Sequence, residues 1–161
     1  LMEFLPTPKE LTETVAGFMG EDKRLAHEAQ QRANIEKYGF KDWYDWNVAN
    51  WGTKWDVSLD NVERVDANTV TAAFESAWAP PTDAYDKLMS LGFEIEAYYY
   101  EPGMAFCGCW EGDMENGFFD DYCEYSEETS KTVREAIGEE LDDYWGISED
   151  MSMWEEENED E

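Results

Sequence analysis

Residues 93–110 read FEIEAYYYEPGMAFCGCW. Aromatic and β-branched side chains favour strands, and Glu101-Pro102-Gly103 between the two apolar runs is typical of a tight turn. The stretch therefore predicts a β-hairpin with strands over residues 93–100 and 103–110. A further aromatic run predicts a third strand over residues 118–125. These three strands predict an antiparallel sheet at the centre of the fold.

Helices are predicted before and after this sheet. Strong helix formers fill residues 21–38 and Gly39 is a natural stop, while Asp42 is placed to cap an aromatic helix that ends at Gly52. The segment at residues 9–18 is consistent with either a short helix or a loop. Proline in the first turn and a closing Gly92 predict another helix from about residue 82, and Ser126 or Thr129 would cap a last helix through Trp145.

A second strand pair is predicted at residues 61–67 and 69–78, around the turn residues Asp66-Ala67-Asn68. Its second strand alternates apolar and polar side chains, which predicts one buried face packed on a helix. The complete order is helix, strand, strand, helix, strand, strand, strand, helix. This order suits an α+β fold of ferredoxin-like type, an antiparallel sheet with helices packed on one face.

The length of 161 residues predicts a single α+β domain over residues 1–153, followed by an acidic flexible tail over residues 154–161. The chain begins with Leu1 and not with Met, which leaves open an incomplete N-terminus. The sequence shows neither an apolar run long enough for a membrane span nor the pattern of a secretion signal. We therefore expect a protein of the cytoplasm.

The net charge is -29, and it is concentrated near the C-terminus, where acidic residues outnumber basic ones by 22 to 2 over residues 101–161. Direct binding to nucleic acid or to an anionic membrane is unfavourable, because binding to phosphates depends on Lys and Arg. The same segment is rich in aromatic residues, which predicts a folded scaffold for its carboxylates. Two interpretations stay open: a negative surface for a strongly basic partner, or acidity that serves solubility or a saline environment.

Cysteine and histidine residues do not predict a metal site. Cys107, Cys109, Cys123 and the single His27 lack the C-x2-4-C spacing of zinc knuckles, so we expect reduced thiols. Residues 111–117 resemble the start of a calcium loop, but its glycine falls one position late and Tyr122 replaces the closing glutamate. We interpret this segment as a charged turn, and we predict no bound metal.

Catalytic motifs are also absent from the sequence. It contains no phosphate-binding P-loop, no G-x-S-x-G, no H-E-x-x-H and no dinucleotide fingerprint. Pairs of neighbouring carboxylates such as Asp120 and Asp121 could serve glycoside hydrolysis, but 40 acidic residues produce such pairs by chance. We therefore predict a protein without enzymatic activity and without a cofactor.

Three blocks carry a resemblance to a known family: NWGTKWD at residues 50–56, FESAWAPP at 74–81 and YEPGMAFCG at 100–108. In this order they resemble the YubB-like family of plasmid- and phage-borne proteins with a ferredoxin-like domain. The resemblance implies that fold and an origin on a mobile element, and it implies no activity or cofactor for any residue here. The acidic hairpin and C-terminus depart from the family pattern.

The leading hypothesis is a non-enzymatic acidic interaction protein of a phage or plasmid. It would mimic nucleic acid, and would bind and inhibit a basic DNA- or RNA-handling protein of the host or a rival, such as a defence nuclease. The alternative is a structural or regulatory protein-interaction module whose acidity serves only solubility. The carboxylates proposed to bind the partner are those of Asp113, Glu115, Asp120, Asp121, Glu124, Glu135, Glu139, Glu140, Asp142 and Asp143. Three of them, Glu135, Glu139 and Asp142, have the spacing of one helix face.

Overall fold

The computed structural model describes residues 1–158, which divide into two compact units, residues 1–87 and residues 88 onward. Antiparallel strands and helices occur in both units, so the predicted α+β class is confirmed. The prediction of a single domain over residues 1–153 stays a prediction. Within the described residues, no helix has the length and apolar character needed to cross a membrane.

The first unit begins with helices. Helix α1 spans Lys9–Thr12, α2 spans Arg24–Tyr38 after a 3-10 turn at Glu21–Lys23, and α3 spans Trp43–Trp51. Helix α4 spans Thr82–Ser90, and its last three residues belong to the second unit. The predicted boundary at Gly39 is confirmed, since this residue adopts a left-handed φ of 80° that favours glycine.

Helix α3 also begins and ends as the sequence predicts. The Asp42 carboxylate accepts hydrogen bonds from the backbone N–H groups of Tyr44 and Asp45 at 3.1 and 3.2 Å, which satisfies donors in the first turn. Its buried face carries Trp46 and Trp51, whose rings meet edge to face at 5.9 Å. These tryptophans form the core of the unit together with Leu11 and Ala84.

Strands β1 (Ser58–Arg64) and β2 (Val70–Glu75) form an antiparallel hairpin in the same unit. The predicted burial of one face is wrong: every residue of the two strands is exposed except Phe74, which is half-buried. The register places Leu59, Val62 and Val70 on one face, because a register shift between Leu59 and Asn61 brings Leu59 and Val62 to the same side of strand β1. Alternation decides which side chains share a face, but burial also requires a second layer to cover them.

The second unit is built around a four-stranded antiparallel sheet of β3 (Ile95–Glu101), β4 (Phe106–Asp113), β5 (Gly117–Asp120) and β6 (Cys123–Glu124). Strand β4 is central: β3 pairs along one side, and β5 and β6 pair in succession along the other. The hairpin at residues 93–110 is thus confirmed, whereas the predicted third strand is divided into β5 and β6.

Three helices follow the sheet: α5 (Val133–Ile137), α6 (Glu139–Trp145) and α7 (Ile147–Asn158). The predicted continuous helix ending at Trp145 is interrupted at Gly138, which has a φ of 88° and a ψ of 154°. This backbone conformation is open almost only to glycine and cannot continue a helix. The end at Gly146 is confirmed, with φ at 70°.

The structure differs from the sequence prediction at the C-terminus. The sequence predicts a flexible tail from residue 154, but residues 154–158 continue helix α7. Glu155 accepts hydrogen bonds from the backbone N–H and the hydroxyl of Ser130 at 2.9 and 2.6 Å, which fastens this part of the helix. Residues 159–161 of the predicted tail lie outside the described residues.

Helices α5 to α7 contribute the core of the second unit against one face of the sheet. Val133, Ile137, Leu141 and Ile147 pack with the fully buried Cys107 and with Tyr125. The three cysteines carry free thiols, and burial raises the pKa of Cys107 to about 12 and that of Cys109 to about 11. These thiols are therefore protonated, and Cys107 serves as a small apolar residue of the core.

Aromatic rings lie directly over glycines on the opposite face of the sheet. The Trp110 ring stacks on Phe118 at 5.4 Å and covers Gly112, where a Cβ atom would lie 2.6 Å from the indole. Tyr99 covers Gly108, its partner across the β3–β4 pair, in the same way. Glycine is required at these positions because the rings occupy the space of a side chain.

We predict that Gly108→Ala lowers the free energy of unfolding by about 1–3 kcal/mol. The new methyl group would clash with the Tyr99 hydroxyl and would lie 2.6 Å from the backbone oxygen of Asp121, which cannot rotate away. Urea denaturation followed by circular dichroism measures the change. The matched control is Gly103→Ala, whose nearest neighbour at 3.2 Å is the flexible Glu101 carboxylate, with an expected change within about 0.5 kcal/mol. Equal losses in both variants would contradict this explanation.

Candidate partner-binding surface

Negative charge is distributed unequally between the two units. Residues 88–161 carry 24 acidic and 2 basic side chains, whereas residues 1–87 carry 16 and 9. All ten carboxylates predicted to bind a partner belong to the second unit. The hairpin β4–β5, strand β6 and helices α5 and α6 position them.

The tip of the β4–β5 hairpin holds Asp113 and Glu115. One Asp113 oxygen accepts hydrogen bonds from the backbone N–H groups of Glu115 and Asn116 at 2.7 and 2.8 Å, and the other accepts from the Asn116 amide at 2.8 Å. These bonds, led by the one from the Asn116 side chain, lower the pKa of Asp113. Asp113 therefore shapes the turn as an ionised carboxylate, and Glu115 projects from it into solvent.

The edge of the sheet carries Asp120, Asp121 and Glu124. Asp120 accepts a hydrogen bond of 2.6 Å from the hydroxyl of Tyr99. Burial and this bond raise the pKa of Tyr99, so its hydroxyl remains a donor. Glu124 accepts from the Ser126 hydroxyl at 3.1 Å, and Asp121 is exposed.

A second tyrosine orients a carboxylate on the helical side. The hydroxyl of Tyr98 donates to Glu140 at 2.7 Å, and its ring stacks on Tyr144 of helix α6 at 4.4 Å and 11°. The bond to Glu140 is the main cause of a raised pKa for Tyr98. Adjacent tyrosines of β3 thus hold Glu140 and Asp120, and strand alternation places those tyrosines on opposite faces of the sheet.

The sequence analysis places Asp142 among the partner-binding carboxylates, but in the structure it is a buried structural residue and not part of a surface. Its side chain is 2% exposed, and it accepts hydrogen bonds from the Ser148 backbone N–H and hydroxyl, both at 2.7 Å, and from Arg134 at 2.8 Å. Burial alone would raise the pKa of Asp142, but the bonds from Ser148 and Arg134 outweigh it, and the pKa is lowered. The carboxylate joins helices α5, α6 and α7.

Arg134 reduces the negative charge of the helices near Asp142. It also contacts Asp143 at 2.6 Å and Glu139 at 4.0 Å. The predicted single face of Glu135, Glu139 and Asp142 does not form, since Gly138 separates α5 from α6 and Asp142 is buried.

Three of the ten carboxylates remain fully available to a partner. Glu115, Asp121 and Glu135 are exposed, and within residues 1–158 their side chains make no ion pair or hydrogen bond. Six others are exposed or half-buried and are oriented by an internal donor: Asp113, Asp120, Glu124, Glu139, Glu140 and Asp143.

Sequence reasoning missed the acidic face of helix α7. Ile147 and Met151 face the core and Glu155 is anchored, so the opposite side of the helix carries exposed carboxylates and the tryptophan Trp154, which is 66% exposed. The spacing of Ile147, Met151 and Glu155 was the available signal of a helix. The exposed carboxylates of this face are Glu149, Asp150, Glu156 and Glu157.

A metal site on this surface would need several side chains that bind one ion together. Within the described part of the chain, no group of three or more His, Cys, Asp or Glu side chains is arranged to hold a metal ion. The arrangement instead presents ionised carboxylates on a sheet and helices that share one core. Its chemical capacity is to bind positive charge.

Comparison with known proteins identifies a protein family. A family model described as the ferredoxin-like domain in Api92-like protein matches residues 50–145, well over half of the chain and inclusive of all ten predicted carboxylates. No curated protein and no solved structure matches the chain.

We predict that Asp142→Ala lowers the free energy of unfolding by about 2–3 kcal/mol, because Ser148 and Arg134 lose their buried acceptor. The matched control is Asp143→Ala, which removes a carboxylate from the same arginine but at a position 68% exposed. Its expected effect is below about 1 kcal/mol. Urea denaturation at neutral pH measures both, and equal effects would contradict the structural role of Asp142.

We also predict that the loss of stability in Asp142→Ala depends on pH. Because the pKa of Asp142 is lowered in the folded protein, its contribution to stability is complete above the unfolded pKa of about 4 and is lost as the pH falls through the folded value. The difference in stability between Asp142→Ala and the parent protein should therefore shrink as the pH is lowered below about 4. A constant difference across this range would contradict an ionised Asp142.

Proposed function

We propose that this chain, which belongs to the family described as the ferredoxin-like domain in Api92-like protein, is a non-enzymatic interaction protein. We propose further that it binds a basic, nucleic-acid-binding protein. Its carboxylates stand in for the phosphates of DNA or RNA, and binding blocks the groove that normally holds the nucleic acid. The target is a DNA- or RNA-handling protein of the host or of a rival element, such as a defence nuclease.

The observation that carries this proposal is the distribution of charge over folded structure. Residues 88–161 contain 24 acidic side chains and two basic ones, Lys131 and Arg134. Arg134 already forms ion pairs with Asp142 and Asp143. Several surface carboxylates are held in place by neutral donors such as Tyr98 and Tyr99. Fixed negative groups suit a basic groove, because less conformational entropy is lost when they bind.

Origin and location belong to the same proposal. The blocks at residues 50–56, 74–81 and 100–108 resemble the YubB-like family, and this resemblance supports an origin on a phage or plasmid. A protein of such an element that blocks a nuclease would act in the cytoplasm of the host cell. Direct contact with nucleic acid or an anionic membrane is not part of the proposal, since a net charge of -29 opposes it.

A second candidate function rests on a different observation. The β1–β2 hairpin exposes Leu59, Val62 and Val70 on one face, each by more than half. An exposed apolar strand face is a feature of protein-interaction modules. In that case the protein is a structural or regulatory module of the element, and its acidity serves solubility.

We predict that neutralising the three free carboxylates, by Glu115→Gln, Asp121→Asn and Glu135→Gln together, weakens capture of the partner about tenfold or more at low salt, since each loses attraction to a basic groove. The measurement is capture by the immobilised full chain from a bacterial lysate, identified by mass spectrometry. It is repeated at high salt and with short double-stranded DNA as competitor. Mimicry requires that both treatments release the captured protein.

The matched control removes the same charge from the first unit by Glu36→Gln, Glu63→Gln and Glu75→Gln, whose exposed side chains make no ion pair or hydrogen bond within the described residues. This control should retain the partner. Equal loss in both triple variants would reduce the effect to net charge alone. A captured protein that neither salt nor DNA releases would overturn mimicry and favour the interaction module.

A further inference from the structure

Two exposed tryptophans of the first unit hold a lysine between them. The ammonium nitrogen of Lys54 lies 3.8 Å from the ring centroid of Trp55 and 4.2 Å from that of Trp78. The two tryptophans are 54% and 58% exposed. We call Trp55 and Trp78 the aromatic clamp.

The position of Lys54 is informative because carboxylates are abundant in this protein. With a net charge of -29, the half-buried Lys54 has many carboxylates as possible partners in this protein. Within residues 1–158, however, the Lys54 ammonium makes no ion pair, and its contacts are with the two indole rings. The faces of aromatic rings attract cations, and the indole ring of tryptophan does so most strongly. The ammonium group of Lys54 therefore lies against the ring faces and not against a carboxylate.

Trp78 occupies this position with a strained backbone conformation. Its φ of 76° is unfavourable for any residue with a large side chain. Buried hydrogen bonds maintain the turn: the Thr53 hydroxyl donates to the Ala77 carbonyl at 3.1 Å and accepts from the Ala77 N–H at 3.2 Å. Ser76 donates to the Ala79 carbonyl at 2.6 Å, and the Tyr44 ring supports Trp78 edge to face at 6.2 Å. Strain that the surroundings maintain is a feature of binding sites.

We propose that the aromatic clamp is a binding site for an alkylammonium cation, and that Lys54 occupies it in the free protein. The group that Lys54 presents to the rings is itself an alkylammonium ion, which identifies the chemistry the clamp accepts. A quaternary or methylated ammonium gives up water more readily than a primary one, so it would displace Lys54. The ligand is either a free quaternary amine or a methylated lysine side chain of another protein.

Occupancy by Lys54 has a measurable consequence. The lysine adjoins Trp55 in the sequence, so it competes at a high effective concentration. The apparent affinity for any added cation is reduced by the fraction of molecules in which Lys54 fills the clamp. Removing the lysine side chain should therefore strengthen the binding of an added cation. The substitution leaves the two indole rings in place, and the loss of a positive charge acts in the same direction.

The test is a titration of the full chain with tetramethylammonium chloride at constant ionic strength, followed through the indole N–H signals by NMR. We expect Lys54→Ala to bind about three- to tenfold more tightly than the parent protein, and Trp55→Ala to lose saturable binding. Trp78→Gly should also lose binding while remaining folded, because glycine suits a φ of 76° and relieves the strain. Trp154→Ala is the matched control, an exposed tryptophan outside the clamp, and should bind as the parent does.

Two further probes define the ligand. The neutral alcohol 3,3-dimethylbutan-1-ol should not bind, because its tert-butyl group has the shape of a trimethylammonium head but carries no charge. A peptide with trimethyllysine and its norleucine counterpart distinguish a protein-borne ligand from a free amine. Tighter binding of the trimethyllysine peptide than of tetramethylammonium, with no binding of the norleucine peptide, identifies a methylated lysine. Equal or weaker binding of that peptide identifies a free amine. Equal binding of the alcohol, unchanged binding by Trp55→Ala, or no gain in Lys54→Ala would overturn the proposal.

Discussion

Repulsion among carboxylates is the constraint on which the second unit depends. Residues 88–161 contain 24 acidic and 2 basic side chains, so cations cannot neutralise them within the unit. The fold uses neutral donors instead: tyrosine hydroxyls for Glu140 and Asp120, and a serine and backbone amides for Glu155 and Asp113. Such bonds orient a carboxylate without cancelling its charge. The surface stays negative because its partners within the protein are neutral.

Arg134 and Asp142 form an ion pair in which one of the few cations of this unit lies beside a buried carboxylate. Asp142 is the buried carboxylate that joins three short helices, and its two oxygens are filled by Ser148 and Arg134. A buried charge without partners would be costly, so this position needs the arginine more than the exposed carboxylates do. The consequence is a division of roles: one carboxylate supports the core, while Glu115, Asp121 and Glu135 keep their charge available.

The two proposed sites follow from opposite uses of charge in the two units. The acidic surface offers fixed negative groups to a basic protein, whereas the aromatic clamp uses indole rings to attract a cation. The ammonium group of Lys54 lies between Trp55 and Trp78 although carboxylates are abundant in the chain. Both proposed sites would bind cations, one through ionic charge and the other through the faces of indole rings.

The sequence by itself determined the local elements and the net charge. Gly39, Asp42, Gly52 and Gly146 act on their own turns of helix, so their effects could be predicted from residue type and position. The division at Gly138 could not, because a glycine inside a helical pattern is compatible with a continuous helix as well as with a break.

Only the tertiary structure decided which carboxylates are buried, bonded or free, and which tryptophans are exposed. Asp142 and Asp143 are neighbours with the same chemistry, yet one is 2% and the other 68% exposed. Trp51 and Trp55 lie in one sequence block, yet one fills the core and the other forms the clamp. Burial and pairing depend on which distant segments approach a side chain, and those contacts are not encoded by any single stretch of sequence.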